Sequence, residues 1–244
     1  MITITTWNMK GGTGKTTTTF NLAANYAKAG KKVLCIDLDI QANLTAFFEK
    51  DMHKRKVDIQ QVLEKSVPVD KAICHSRHHI DFIPGCNKKI NVADIFELDK
   101  ALAEVKDQYD ICCIDCHPDN SMLSENALAM ADMVLIPILL DGFSRDNLNL
   151  VVDEIINIGD LTGREIPYQI VVNRLRNLKS QRTIFQDLIE HHDYPLMGTS
   201  ISDYAGVQSA LLLQKPLFKH RCTSQAACDF TDLADEVLER LEVL

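Results

Sequence analysis

No stretch of about 18 apolar residues occurs in the chain, so nothing in it is long enough to cross a bilayer as a helix. A basic leader is missing as well, since Met1 runs straight into an apolar segment, and the two absences predict a cytosolic protein. Positive charge is not in excess. Against 26 basic residues stand 34 acidic ones, a net charge of -8, which is the wrong sign for a surface meant as a whole for nucleic acid or anionic lipid. Any such binding has to be local or switched. Internal repeats, low-complexity tracts and Pro/Gly/Ser linkers are also lacking, so the 244 residues, 46% of them hydrophobic, read as one domain over 1–244 with a sizeable core. Cysteine is plentiful by contrast, at eight, but no secretory segment accompanies it. Cys35, Cys112 and Cys113 lie inside apolar runs, where reduced core thiols fit better than disulfides.

Short β-branched or apolar runs at 2–7, 32–38, 80–84, 109–115, 133–140 and 168–173 alternate with helical periodicity at 16–29, 121–131, 144–158 and 181–191. Gly30 suits the left-handed residue that closes the first of these helices. The alternation predicts an α/β fold, a mostly parallel twisted sheet with helices on both faces. Residues 50–79 are charged and irregular, and yield no assignment. Residues 231–244 read as a helix with leucines and valine on one face and five acidic residues on the other.

The run W-N-M-K-G-G-T-G-K-T-T at 7–17 carries the strongest chemical signal. A strand precedes it and a helix follows, the context in which a glycine-rich loop becomes a phosphate site. Gly11, Gly12, Thr13 and Gly14 let backbone N–H groups crowd around phosphate oxygens, and the helix N-terminus adds partial positive charge. Lys15 would neutralise the β and γ phosphates, the Thr16 hydroxyl would ligate Mg²⁺, and Thr17 completes the nucleotide-binding run. The motif G-x-x-x-x-G-K-[ST] departs at its first glycine, which is Met9, and a second lysine, Lys10, stands beside that departure.

Carboxylates at the C-terminal ends of parallel strands face the crevice where ligands sit in open α/β sheets. Asp37 and Asp39 in V-L-C-I-D-L-D-I-Q-A-N and Asp115 closing Y-D-I-C-C-I-D occupy such places. Asp115 reads as a direct or outer-sphere partner of Mg²⁺, Asp37 as a holder of metal-bound water, and Asp39 as the group that orients the attacking water.

K-G-G-T-G-K-T-T together with D-L-D-x-Q-x-N and the strand-end Asp115 resembles the ParA/MinD family of deviant Walker ATPases, over nearly the whole chain. I-D-F-I-P-G at 80–85, V-V-N-R at 171–174 and Q-K-P-L-F at 214–218 extend the likeness. Lys10 matches the family's signature lysine, which implies an ATP sandwich dimer in which it reaches the phosphates held by the other subunit, as a cation supplied in trans. Asn173 resembles the family's adenine-contacting asparagine. Asn8-Met9 and the Gln41 and Asn43 pair lean towards the ParA/Soj-like branch. Ile40 stands where that branch has proline, and Cys116-His117-Pro118 stands where the family usually has Thr-Pro-Pro. The resemblance implies ATP and Mg²⁺ as ligands, slow intrinsic hydrolysis stimulated by a ParB-like centromere-binding partner, and partition of a plasmid, mobile element or chromosome. A scaffold that recruits protein cargo without DNA is the alternative.

Other features are weighed against plainer readings. Cys113-x-x-Cys116 has metal spacing, but an odd separation in a strand points the two thiols to opposite faces. Cys74-His75-x-x-His78-His79 lacks a second ligand set for zinc and reads as a polar loop. The last helix is acidic where membrane-docking helices are basic, so no membrane is expected. Arg174, Arg176, Lys179 and Arg182, with Lys215, Lys219 and Arg221, form two basic groups that would contact non-specific DNA if joined in a dimer. Gln225 occupies the place where some ParA-like proteins carry a DNA-contacting arginine, and no helix-turn-helix segment precedes the strand, so operator binding is not expected.

Overall fold

Period-two alternation along the central strands builds two apolar layers. Leu34 and Ile36 enter one and Val33 and Cys35 the other; Cys112 and Ile114 divide from Ile111 and Cys113 in the same way. The structure, a computed structural model, describes residues 1–52, 57–88, 90–141, 144–191 and 194–243, with the side chains of 144–147 and 191 also outside the description. The last position of the predicted C-terminal helix, Leu244, therefore lies outside the described residues.

Seven strands, β1 (Ile2–Thr6), β2 (Val33–Asp37), β3 (Cys74–His75), β4 (Ile80–Ile83), β5 (Ile111–Asp115), β6 (Met133–Leu139) and β7 (Tyr168–Asn173), form one sheet in the order β3-β4-β2-β5-β1-β6-β7. All neighbours are parallel except β3, which runs antiparallel to β4 at the edge. The helices are α1 (Lys15–Lys28), α2 (Asn43–Phe47), α3 (Ile59–Leu63), α4 (Glu97–Leu102), α5 (Met122–Ala129), α6 (Ser144–Thr162), α7 (Lys179–His191), α8 (Gly206–Leu212), α9 (Leu217–His220) and α10 (Gln225–Val243). Side chains of α1, α2, α8, α9 and α10 fill one layer, and those of α3 to α7 fill the other. The expected mostly parallel sheet covered on both faces is what the chain forms. Among the described residues no helix is long and apolar enough to cross a membrane.

Register places the site. Asp115 lies opposite both Thr6 of β1 and Asp37 of β2, so the three central strands end level. Their loops therefore leave the sheet side by side.

Three expectations change. The segment 74–79 is an edge strand and turn rather than a polar loop: His75 pairs with Asp81 at 2.6 Å and His78 is buried. The last helix begins at Gln225 rather than at 231, capped by the Ser224 hydroxyl, which accepts from the Ala227 N–H at 3.3 Å, while the Gln225 amide donates to Asp229 at 2.8 Å. Glu236 is not a solvated member of the acidic face, because it accepts from the Gly198 and Thr199 N–H groups at 2.7 and 2.8 Å.

Candidate nucleotide site

The glycine-rich loop is held open by positions only glycine tolerates. Gly14 has φ of 98°, and a Cβ there would collide with Asn173 Nδ2; Gly12 has φ of 75°. Asn8 pins the loop to the sheet by donating to the Pro137 carbonyl at 2.9 Å and accepting from the Lys10 N–H at 2.8 Å. Met9, which replaces the first motif glycine, packs against the core. Asn8 is a loop-shaping residue that the motif pattern does not contain.

Lys15 is buried and folds back over the loop, donating to the carbonyls of Asn8 at 3.0 Å and Lys10 at 2.9 Å. Burial lowers its pKa, against the attraction of Asp115 nearby. Phosphate oxygens are better acceptors for an ammonium than those carbonyls, so this geometry is ready to exchange. Lys10 points elsewhere, into an ion pair with Asp141 at 2.6 Å past the end of β6.

The three carboxylates converge at the strand ends, each in a different state. Asp115 is fully buried, and neither of its oxygens has a hydrogen-bond partner of ordinary geometry. Burial raises its pKa strongly, the charge of Asp37 adds to this, and the Thr16 hydroxyl beside it pulls the other way. Asp37 accepts from the Thr45 N–H at 2.7 Å, the Thr45 hydroxyl at 2.6 Å and the Asp39 N–H at 3.1 Å. Its pKa is still pushed up to about 6, because burial outweighs those bonds. Gly85 explains itself here, since a Cβ at that position would come within 2.9 Å of Asp37. Thr45 was not legible in the motif, although it locks Asp37. Asp39 accepts from the Gln41 N–H at 2.8 Å and from His117 Nδ1 at 2.8 Å.

A cavity of about 540 Å³ joins these parts, lined by Gly11, Gly12, Gly14, Lys15, Thr16, Thr17, Asp39, His117 and Arg174 among others. Asn173 adjoins it from the end of β7, where its amide donates to the Thr13 carbonyl at 2.6 Å and accepts from the Arg174 N–H at 2.9 Å. Asn173 therefore braces the loop, beside a second cavity of about 290 Å³ that Gly14, Thr17 and Tyr204 also line.

The other sequence candidates divide. Cys113 and Cys116 face opposite layers, which removes the thiol pair as a metal site. Cys222 and Cys228 are exposed, so not every cysteine is a core thiol. Arg174, Arg176, Lys179, Arg182, Lys215, Lys219 and Arg221 are all exposed. Two of them are already engaged, Arg176 with Asp203 and Arg182 with Asn177. Arg174 has left-handed φ of 51° and lines the nucleotide cavity.

A strand, a glycine loop cradling a helix N-terminus, and acidic residues closing the neighbouring strands define a P-loop nucleotide-binding α/β protein. The family model described as an AAA domain matches residues 1–167. The virulence plasmid ParA family protein pGP5-D of Chlamydia psittaci is 29% identical, covering 99% of this chain and 96% of that protein. The cell division protein PomZ of Myxococcus xanthus is 30% identical over 96% of this chain and 77% of its own length. Cobyrinic acid a,c-diamide synthase of Mycobacterium smegmatis, solved with an ATP analogue and magnesium, superposes with a TM-score of 0.85 at 21% identity, covering 99% of this chain and 96% of the synthase. The synthase shares the fold alone. The chain belongs to the ParA/MinD family within the AAA-domain P-loop proteins.

Proposed function

We propose that this chain, acting as one unit over residues 1–244, is a Mg²⁺-dependent ATPase of the ParA type that dimerises on ATP, binds DNA non-specifically as the dimer, and is reset by hydrolysis. The observation that carries the reading is Asp115. Burying a carboxylate costs several kcal/mol unless its charge is answered, and Asp115 meets only the Thr16 hydroxyl and the Lys15 ammonium at the phosphate loop, with no bond of ordinary geometry to either oxygen. The donor set fits magnesium, which is bound through one or two protein oxygens and substrate phosphates rather than by a full protein cage.

Thr16 and Asp115 would hold the metal, with Asp37 supporting a metal-bound water. When bound, magnesium neutralises charge developing on the β and γ oxygens. Gly11 to Gly14 present N–H groups to the phosphates, and Lys15 transfers its hydrogen bonds from the loop carbonyls to them. Asn173 and Thr17 border the place for the base. Asp39 orients the attacking water: the water oxygen bonds to the γ-phosphorus, the bond to the β–γ bridging oxygen breaks, ADP leaves with that electron pair, and Asp39 takes the water proton. A carboxylate is a weak base for this proton, which keeps intrinsic turnover slow.

Lys10 completes the site from a second copy, leaving its ion pair with Asp141. The exposed basic residues from Arg174 to Arg182 and from Lys215 to Arg221 form the DNA stripe. The reset is driven by a ParB-like, centromere-binding partner, and the task is partition of a plasmid, mobile element or chromosome in the cytoplasm, on the nucleoid. A second reading, an ATP-switched scaffold for protein cargo, is favoured by the net charge of -8 and by the engagement of Arg176 and Arg182.

The test is self-association measured by sedimentation with ATP and Mg²⁺, with ADP, and without nucleotide. The parent chain is expected to dimerise with ATP alone. Lys15→Ala should lose nucleotide binding, whereas Lys10→Ala should bind ATP and stay monomeric. A Lys10→Ala variant that still dimerises on ATP sinks the sandwich.

A further inference from the structure

Asp39 sits on the loop between β2 and α2. Residues 38–42 contain no proline, and the turn passes through Ala42 with φ of 49°, a left-handed conformation that costs a non-glycine residue free energy. Within the loop the Asp39 carboxylate accepts from the Gln41 N–H at 2.8 Å, one bond from a backbone group two residues away. Further support comes from the neighbouring loop after β5, where His117 Nδ1 lies 2.8 Å from Asp39 Oδ1. A carboxylate oxygen accepts, so the proton of this bond is on Nδ1 and the tautomer is set.

Both side chains are well enclosed, with 22% of His117 and 7% of Asp39 exposed, and both line the cavity that holds Lys15 and Thr16. Among the described residues, His117 is the one side-chain donor bonded to Asp39. The contact also ties together two loops that leave adjacent, in-register strands, because Asp37 lies opposite Asp115. Ile40 and His117 are the two positions at which this chain departs from the prolines of the family pattern. The departure at 117 supplies a hydrogen bond to the loop that carries the departure at 40.

We propose that His117 is a positioning residue for hydrolysis: it fixes the Asp39 carboxylate against the attacking water, and so governs turnover rather than nucleotide binding. This rests on the reading of the cavity as an ATPase site. Catalytic groups must be held within about 0.5 Å and 10–20° of the productive geometry, and the supporting hydrogen bond is what confines them.

The experiment compares the intact parent chain with His117→Ala and His117→Asn, measuring the Kd for ATP and steady-state kcat and KM. Asparagine keeps an N–H donor near the place of Nδ1. His117→Ala is expected to lower kcat about tenfold, with Kd and KM for ATP changing less than about twofold, and His117→Asn to recover turnover to within about threefold of the parent, as follows when geometry rather than binding is lost. Unchanged kcat in His117→Ala overturns the proposal. So does a rise in KM and Kd at constant kcat, or an equal loss in both variants, which would assign His117 to binding or to ring packing. A parent chain that binds ATP without turning it over removes the hydrolysis reading along with this one, whereas a turning-over parent with an indifferent His117→Ala removes this inference alone.

Discussion

Asp115 concentrates the tension between folding and function in one side chain. Its carboxylate is buried and close to Asp37, with only the Thr16 hydroxyl and the Lys15 ammonium to offset its charge, so ionisation opposes folding until a metal cation arrives. Asp115→Asn removes that charge at nearly constant volume and should stabilise the metal-free protein by about 1–3 kcal/mol. Thermal denaturation with and without Mg²⁺ and ATP checks this: the variant should melt higher than the parent alone and gain little from the ligands. A lower melting temperature in the variant would mean that Asp115 has a structural partner instead. The opposite case is Thr45, whose N–H and hydroxyl both bond to Asp37. Motif spacing exposed Asp115 and Asp37, because strand-end carboxylates have a readable position. It did not expose Thr45, because a residue eight positions away meets Asp37 only after the turn through Ala42 brings it back.

Turns and strand edges follow the same logic. Ala42 occupies left-handed space in the loop between β2 and α2. Ala42→Gly should raise stability by roughly 0.5–1 kcal/mol, since glycine takes this φ without a Cβ penalty. Denaturant melts would show it as a shift in midpoint at constant slope, and a destabilised variant would contradict the strain. The β3–β4 turn gives a pH-dependent case. His78 is buried there with Nε2 donating to the Gln214 carbonyl at 3.0 Å, against Phe20, with Lys219, Arg77 and Asp51 nearby. Burial lowers its pKa below the usual 6.5, so the folded state prefers the neutral ring. Its contribution is present above pH 6.5 and is lost as pH falls through the lowered value, because the unfolded chain then binds the proton more readily. His78→Gln keeps a donor that does not titrate, so its melting temperature should gain on the parent's between pH 7 and pH 5. Parallel curves would remove His78 as the cause. Sequence reading placed the long strands well and missed β3, since a two-residue edge strand has no periodicity to detect. The short helices α2, α3, α4, α8 and α9 escaped for the same reason.

The whole molecule couples its C-terminal part to the nucleotide loop. The helix that starts at Lys15 carries Asn21 and Asn25, which bond to the Leu217 N–H and the Thr231 hydroxyl at 2.9 and 3.1 Å. The segment bearing Lys215, Lys219 and Arg221 is thereby fastened to the phosphate-binding helix. Retention on an arbitrary DNA duplex, measured across a salt series, should appear with ATP alone and weaken steeply as salt rises, since each phosphate contact releases counterions. No retention in any state, with ATP-driven dimerisation intact, would favour protein cargo. The sequence by itself determined the phosphate loop, the strand-helix alternation and the three aspartates, because each depends on local spacing or on period, and these are one-dimensional properties. Only the tertiary structure decided that Asp115 is fully buried with the Thr16 hydroxyl beside it, that Asn173 braces the loop at Thr13, and that His117 reaches Asp39. Each of those is a distance between residues far apart in the chain, set by the level ends of neighbouring strands.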